Sequence, residues 1–451
     1  MYLAKGLRRS SALGRGATDC VALVDCNNFY VSCERKFDPQ LNNRVVVILS
    51  SNDGCIIARS EEAKALGIPM GAPLFKYQKK LKQHKAAIIS ANFIQYAWVS
   101  TQVMRLFERD MPKVEVYSVD EAWLDISGMD RFVNREKKLR ELRAQVQFEL
   151  NIPISIGFST TKVLAKLANK YAKKTKTTYI KSILTVGDLQ DILPKTPVGD
   201  LWGIGRRLTA QLEAMGIHTA HELAMLDEYV IRKKLHLPGW HLWRELQGIP
   251  TREVTETELN SKTILVSRSF GRDVLDHSLV EAALITFVVK ATHKLWAQKR
   301  LAGEVTVFVY SNSHKVDLEQ YEMTVSTVLD FPTDFPPTLI QAIKKLVANA
   351  LKPGIAYKKA GIYLTRLVPR DANSIPLFGA EDYVKQQMLR QTMGSLQELE
   401  NEKPEKGFPL EWATGLAARR QKGWQPLSQY ASNLSSDTGI SGSKRMSKPW
   451  W

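Results

Sequence analysis

The sequence predicts an α+β chain of several domains, with two ferredoxin-like units on either side of a helical segment. Between residues 21 and 158, β-rich and helix-period stretches alternate as strand, insertion, helix, strand, strand, helix, strand. The same order returns across residues 256–369, without the insertion. Between the two, glycine-punctuated sequence around Gly203 and Gly205 reads as turn and helix.

Residues 21–24 read as a buried strand leading to Asp25. A second apolar run covers 45–49. Asn52-Asp53-Gly54 then turns the chain into 55–58 in a hairpin-like pattern. Ser60 suits the N-cap of a short helix ending at Gly67. Lys76, Lys79, Lys80, Lys82 and Lys85 follow, and the whole reads as a small insertion. Residues 93–109 and 131–150 read as helices. Residues 114–117 and 122–126 read as strands joined around Asp120-Glu121, and 154–158 as a further strand. In this order the first strand lies beside the hairpin, which brings Asp25 to Asp120 and Glu121 across about 95 residues of sequence. Residues 190–255 read as mainly helical. In the second unit, 263–270, 305–310, 321–325 and 360–367 read as strands, and 279–300 and 338–351 as helices.

The chain has 451 residues, enough for two to four domains. Sixty-three Lys and Arg against 46 Asp and Glu give a net charge of +17. Such a surplus points to a polyanionic partner, nucleic acid first and an anionic membrane second. Cys20, Cys26, Cys33 and Cys55 show no C-x-x-C spacing, and the nearest histidine is His84. That argues against a zinc site or a disulfide framework and for a reducing compartment. No apolar run reaches membrane-spanning length, and no signal-peptide core is present. Residues 1–18 carry Lys5, Arg8, Arg9 and Arg15 with no acid, the composition of a disordered basic arm or a transit peptide. Residues 370–451 have weak periodicity and are expected to be partly disordered, with short docking segments.

Asp25, Asp120 and Glu121 each sit at the end of a β-rich run. An Asp-Glu pair alone reads as a solvated turn. Three clustered carboxylates are instead oxygen ligands suited to two Mg²⁺ ions, a pair that serves phosphoryl transfer. Phe29 and Tyr30 follow the first strand, either as core aromatics or as the floor of a nucleotide pocket. In the second case, a ring against the sugar C2′ clashes with a 2′-hydroxyl and selects deoxyribose. Lys162, Lys166, Lys170 and Lys174 repeat every four residues, with Lys173 beside them. They share a helical face that is either solvated or set against phosphates. Arg59 and Lys64 are further phosphate candidates. Gly203-Ile204-Gly205 with Arg206 suits a helix-hairpin-helix, whose amides hold a DNA phosphate without reading sequence. Ser374-Ile375-Pro376-Leu377-Phe378 is an apolar peptide in a polar region, fit for a partner's groove or for local packing.

Several segments together carry a resemblance. They are Asp25-Cys26-Asn27-Asn28-Phe29-Tyr30, Ser51-Asn52-Asp53-Gly54-Cys55, Glu62-Ala63-Lys64-Ala65-Leu66-Gly67 and Tyr117-Ser118-Val119-Asp120-Glu121-Ala122. Further along are Thr161-Lys162-Val163-Leu164-Ala165-Lys166-Leu167-Ala168-Asn169, Leu201-Trp202-Gly203-Ile204-Gly205-Arg206-Arg207 and Ser267-Arg268-Ser269-Phe270-Gly271. From about Cys20 to Phe378 the chain resembles Y-family translesion DNA polymerases, most closely the UmuC-type catalytic subunits of bacterial DNA polymerase V.

The resemblance implies a right-hand fold. A ferredoxin-like palm would span 19–30 and 91–190, small fingers 31–90, a helical thumb 191–255 and a ferredoxin-like little finger 256–369. It implies two Mg²⁺ held by Asp25, Asp120 and Glu121 with the carbonyl of Cys26. Tyr30 takes the steric-gate position beside Phe29, and Lys64, Lys173 and Arg59 face the incoming dNTP. Lys162, Lys166, Gly203, Gly205, Arg206 and Arg268 face primer-template DNA. Ile375, Leu377 and Phe378 match a sliding-clamp peptide, although Ser374 stands where the family has Gln. A UmuD-type cleaved partner, a RecA filament, an SOS role and a nucleoid-associated cytoplasmic location are implied by family alone. Two other classes compete. A catalytically silent DNA-binding accessory would keep the charge but need no carboxylate triad. A nucleotidyl cyclase would keep the triad but need no thumb.

Overall fold

The protein is described from a computed structural model, covering residues 19–129, 134–175, 177–255, 261–315 and 317–370. The basic arm 1–18 and the Ser374–Phe378 peptide lie outside the described residues.

Strand β1 (Val21–Cys26) is buried along its whole length. It lacks alternation because both its faces are covered. Helix α1 (Phe29–Phe37) follows through Asn28, whose φ of 48° makes the turn off the sheet. β2 (Val46–Leu49) and β3 (Ile56–Arg59) form the expected antiparallel pair. Ser60 caps α2 (Glu61–Ala65), its Oγ accepting from the Ala63 amide at 3.2 Å. α3 (Leu74–Gln83) leads to β4 (Ala87–Ser90), which pairs parallel with β2. The insertion is therefore a small three-stranded sheet with helices and its own core around Leu49, Ile56, Ile68 and Leu81.

α4 (Phe93–Asp110), β5 (Val114–Val116), β6 (Glu121–Asp125), α5 (Arg135–Leu150) and β7 (Ile154–Ser159) complete the first unit. α6 (Lys162–Thr175) and β8 (Ile180–Ile183) extend it. Sheet order is β5-β6-β1-β7-β8, with β1 antiparallel to both neighbours. Asp25 lies opposite Glu121 on one side and Ser155 on the other. α6 packs hard on β7 at Gly157. A Cβ there would come within 2.0 Å of the Asn169 amide nitrogen and 2.3 Å of the Ala165 carbonyl oxygen.

α7 (Val186–Ile192), α8 (Arg206–Glu213), α9 (Ala220–Met225) and α10 (Glu228–Leu246) form the helical region. Their core also takes Val163, Leu164 and Leu167 from α6, so that helix is shared. β9 (Ile264–Val274), α11 (His277–Gln298), β10 (Arg300–Ser311), β11 (Glu322–Thr333), α12 (Pro336–Ala350) and β12 (Tyr357–Pro369) follow in the expected element order. Their strand order is β11-β10-β12-β9. Here the last strand lies between the first and second, whereas in the first unit the first strand lies between the third and fourth. Both arrangements let two helices cover one face of a four-stranded sheet, so local patterning does not separate them.

Gly157→Ala is expected to destabilise the chain by about 3 kcal/mol, because backbone rather than a flexible side chain opposes the new methyl. Thermal melting of the two proteins checks this; equal melting temperatures would show that α6 can move.

Candidate active site

The carboxylates meet where β1 ends and β6 begins. Asp25 is 8% exposed. The Cys26 amide donates to the Asp120 carbonyl at 2.8 Å, which fixes the β5–β6 turn against β1. Ser118 organises that turn. Its hydroxyl donates to Asp120 Oδ1 at 2.5 Å and accepts from the amides of Asp120 at 3.3 Å and Glu121 at 3.0 Å. The sequence signal for it was a serine two residues before an acid in a turn.

The lysine face of α6 is turned to acids. Lys173 pairs with Asp25 at 2.6 Å, Lys166 with Glu121 at 3.0 Å, and Lys170 with Asp200 at 2.5 Å. Lys174 stands over the Tyr171 ring. Lys162 is 5% exposed and pairs with Glu115 at 2.6 Å. It is an internal ion pair, so the expected DNA contact at Lys162 gives way to a role holding α6 to β5. Helical spacing shows that lysines share a face but not what the face meets.

Burial pushes the Asp25 carboxyl up to about 7, Lys173 pulls against it, and the Glu121 and Asp120 charges push further. Burial and Glu121 also raise Asp120, opposed by the Ser118 hydrogen bond. Burial pushes the Cys26 thiol up, with the Asp120 and Asp25 charges adding, so the thiol stays protonated. Among the described residues no three His, Cys, Asp or Glu side chains stand as a ready metal cage. Each of the three carboxylates is turned to its own Lys or Ser. The donor set still fits a hard divalent cation: oxygen ligands, mutually repelling, at the end of a buried strand.

Tyr30 is half-buried beside this cluster. Burial raises its phenol, and the Asp120 charge adds to the effect. Its neighbour Phe29 is buried. Lys64 Nζ donates to Asn28 Oδ1 and to Glu61 Oε1, so it reaches back to the turn after β1. Arg59 donates to the Ile68 carbonyl. Gly203 has a φ of 96°, Gly205 precedes α8, and Arg206 is exposed. The Trp202 indole donates to the Tyr117 hydroxyl at 3.1 Å. A cavity of about 260 Å³ opens between Asp25, Glu121, Lys166, Lys173, Asp200 and Trp202. Arg268 is exposed on β9, in the second βαββαβ unit. Ile375, Leu377 and Phe378 lie outside the described residues.

The raised Asp25 carboxyl has a definite sign in stability. Between its usual 3.8 and about 7, the folded chain keeps a proton that the unfolded chain has lost. Its contribution is therefore full below about 4 and is lost as pH rises through 7. Without divalent cations, Asp25→Asn is expected to gain on the parent between pH 5 and 8, by at most about 3 kcal/mol. Paired melts at both pH values check this, and a constant gap would contradict the burial argument.

Comparison with known proteins matches three family profiles. Residues 24–170 match the impB/mucB/samB family, 261–377 its C-terminal domain and 186–217 the IMS family HHH motif. The protein UmuC of Salmonella typhimurium is 35% identical over 359 residues, covering 79% of this chain and 85% of the relative. The protein MucB of Escherichia coli is 34% identical over 354 residues, covering 78% and 84%. A DNA polymerase IV of Caulobacter vibrioides is 27% identical, covering 80% and 87%. Among solved structures, a Y-family DNA polymerase chimera of Dbh and Dpo4 superposes with a TM-score of 0.63 at 20% identity. It covers 78% of this chain and 99% of its own. An insertion ternary complex of Dbh DNA polymerase gives a TM-score of 0.53. The chain therefore belongs to the impB/mucB/samB family, the UmuC-type branch of the Y-family DNA polymerases.

Proposed function

We propose that this DNA-directed DNA polymerase is an error-prone translesion enzyme of the SOS response, adding dNTPs to a primer 3′-hydroxyl opposite damaged template. The observation that carries the reading is the register of β1 against β6, with Asp25 opposite Glu121 and Asp120 at the adjoining turn. Asp25, Asp120 and Glu121, with the Cys26 carbonyl, hold two Mg²⁺. Divalent cations held there would supply charge neutralisation during phosphoryl transfer. Lys173 and Lys64, with Arg59, bind the triphosphate, and Tyr30 excludes the 2′-hydroxyl. The Gly203 and Gly205 amides with Arg206, Lys166 and Arg268 hold backbone phosphates without reading sequence.

The reading divides the chain into a palm at 19–30 and 91–190, fingers at 31–90, a thumb at 191–255 and a little finger at 256–369. Separate apolar cores in the insertion, the helical region and the second βαββαβ unit support that division. Docking of Ile375, Leu377 and Phe378 on a sliding clamp, a UmuD-type cleaved partner, a RecA filament and a place on the bacterial nucleoid rest on family membership. No described helix is long and apolar enough to cross a membrane.

Primer extension by purified chain with Mg²⁺ and dNTPs, on intact and abasic templates, tests the reading. A parallel reaction adds a UmuD-type partner and activated RecA filament. Asp120→Ala is expected to lower extension by about 10³-fold or more while DNA binding persists. Full activity in the variant would refute the metal assignment. No extension by the parent in either reaction, with DNA binding intact, would make the chain a silent accessory. Tyr30→Ala is expected to admit ribonucleotides in single-turnover incorporation; unchanged sugar selection would remove Tyr30 from that role.

A further inference from the structure

Behind Tyr30 stands a second tyrosine. Tyr96, on α4, stacks on it with ring centroids 4.6 Å apart and planes 19° apart. Phe93 closes the edges of both rings, at 5.9 Å from Tyr30 and 6.2 Å from Tyr96. Tyr96 is fully buried, and its hydroxyl donates to Glu34 Oε1 at 2.6 Å. Glu34 is itself fully buried. It lies on α1, four residues beyond Tyr30, so both side chains leave the same helix one turn apart. Tyr96 therefore holds both ends of that turn, Tyr30 by its ring and Glu34 by its hydroxyl.

A carboxylate in a protein core is expensive, and an apolar pair of similar volume would cover this face at lower cost. What the acid supplies is geometry. A stack of rings can slide, whereas a short hydrogen bond to a carboxylate holds the Tyr96 ring in one place. That matters for a residue that selects by clash. A steric wall rejects a hydroxyl only as strongly as the structure behind it resists displacement.

We infer that the Glu34–Tyr96 hydrogen bond positions the sugar gate: it locks the ring that backs Tyr30 and stops Tyr30 from retreating before a 2′-hydroxyl. Tyr96 and Glu34 are positioning residues that act through Tyr30. The inference rests on the reading of Tyr30 as the gate.

The test is single-turnover incorporation of a dNTP and its matching ribonucleotide by the full chain on primer-template. Tyr96→Phe keeps the ring and removes the donor; Glu34→Met keeps much of the volume and removes the acceptor. Both are expected to lower the kcat/KM preference for deoxyribose by about tenfold, through faster ribonucleotide incorporation. Incorporation of the dNTP is expected to stay within about threefold of the parent. Tyr30→Ala runs beside them. If it admits ribonucleotides while both variants keep the parent's preference, or lose rate equally on both sugars, the pair is ordinary core and the inference falls. If Tyr30→Ala leaves the preference unchanged, the gate reading itself fails and the inference goes with it. Melting temperatures report folding, and should Tyr96→Phe fail to fold, the ratio for Glu34→Met alone decides.

Discussion

Everything at this site depends on placing acids at the end of a strand that is buried on both faces. A carboxylate at the end of β1 loses much of its hydration, and the fold offsets that loss from one helix. α6 carries Lys173 to Asp25 and Lys166 to Glu121, seven residues apart and so on one face two turns along. Those lysines reach their partners only because α6 sits close to the sheet. Gly157 permits the approach, and Asn169 secures it, donating to the Leu23 carbonyl at 3.3 Å and the Ser155 carbonyl at 2.9 Å. One missing side chain on β7 thus sets the electrostatics at the end of β1.

The same lysines explain why the carboxylates do not already form a cage. An acid pair facing a lysine turns toward it, because compensation by an available ammonium costs less than mutual repulsion. Asp120, with Ser118 rather than a lysine as its hydrogen-bond partner, is anchored through the turn itself. In the proposed reaction the carboxylates would exchange these lysines for divalent cations, and Lys173 would exchange its carboxylate for a phosphate.

Much of this was legible in the chain. The βαββαβ order alone brought Asp25 beside Glu121, because that order leaves few places for the first strand. Ser60 and Gly67 marked α2 correctly, since capping chemistry is local. What escaped depends on tertiary partners. α1, β4 and β8 are too short to show a period, and β4 and β8 become strands by pairing parallel with β2 and β7. The position of β12 between β9 and β10 leaves no local trace. Lys162 could not be told from its neighbours, because its inward turn is set by Glu115, 47 residues earlier. Glu34 and Tyr96 look like unremarkable helix residues until α1 and α4 are brought together.

The helical region is tied to the first sheet through α6 as well. Glu245, near the end of α10, is fully buried and accepts from the Val163 amide in the first turn of α6 at 3.0 Å. It also accepts from Thr251 at 2.8 Å and from Arg252 at 2.7 Å. Arg252 in turn lies 4.4 Å over the Trp202 ring, and Lys166 stands between Trp202, Tyr117 and Glu121. The loop carrying Gly203 and Gly205 is thus held against the helix whose lysines meet the carboxylates. A buried acid on a helix N-terminus resists displacement, because moving it would strand both the charge and the amide. Phosphates gripped by that loop would be held in register with Asp25 and Glu121 by a single rigid helix, without a separate hinge to align them.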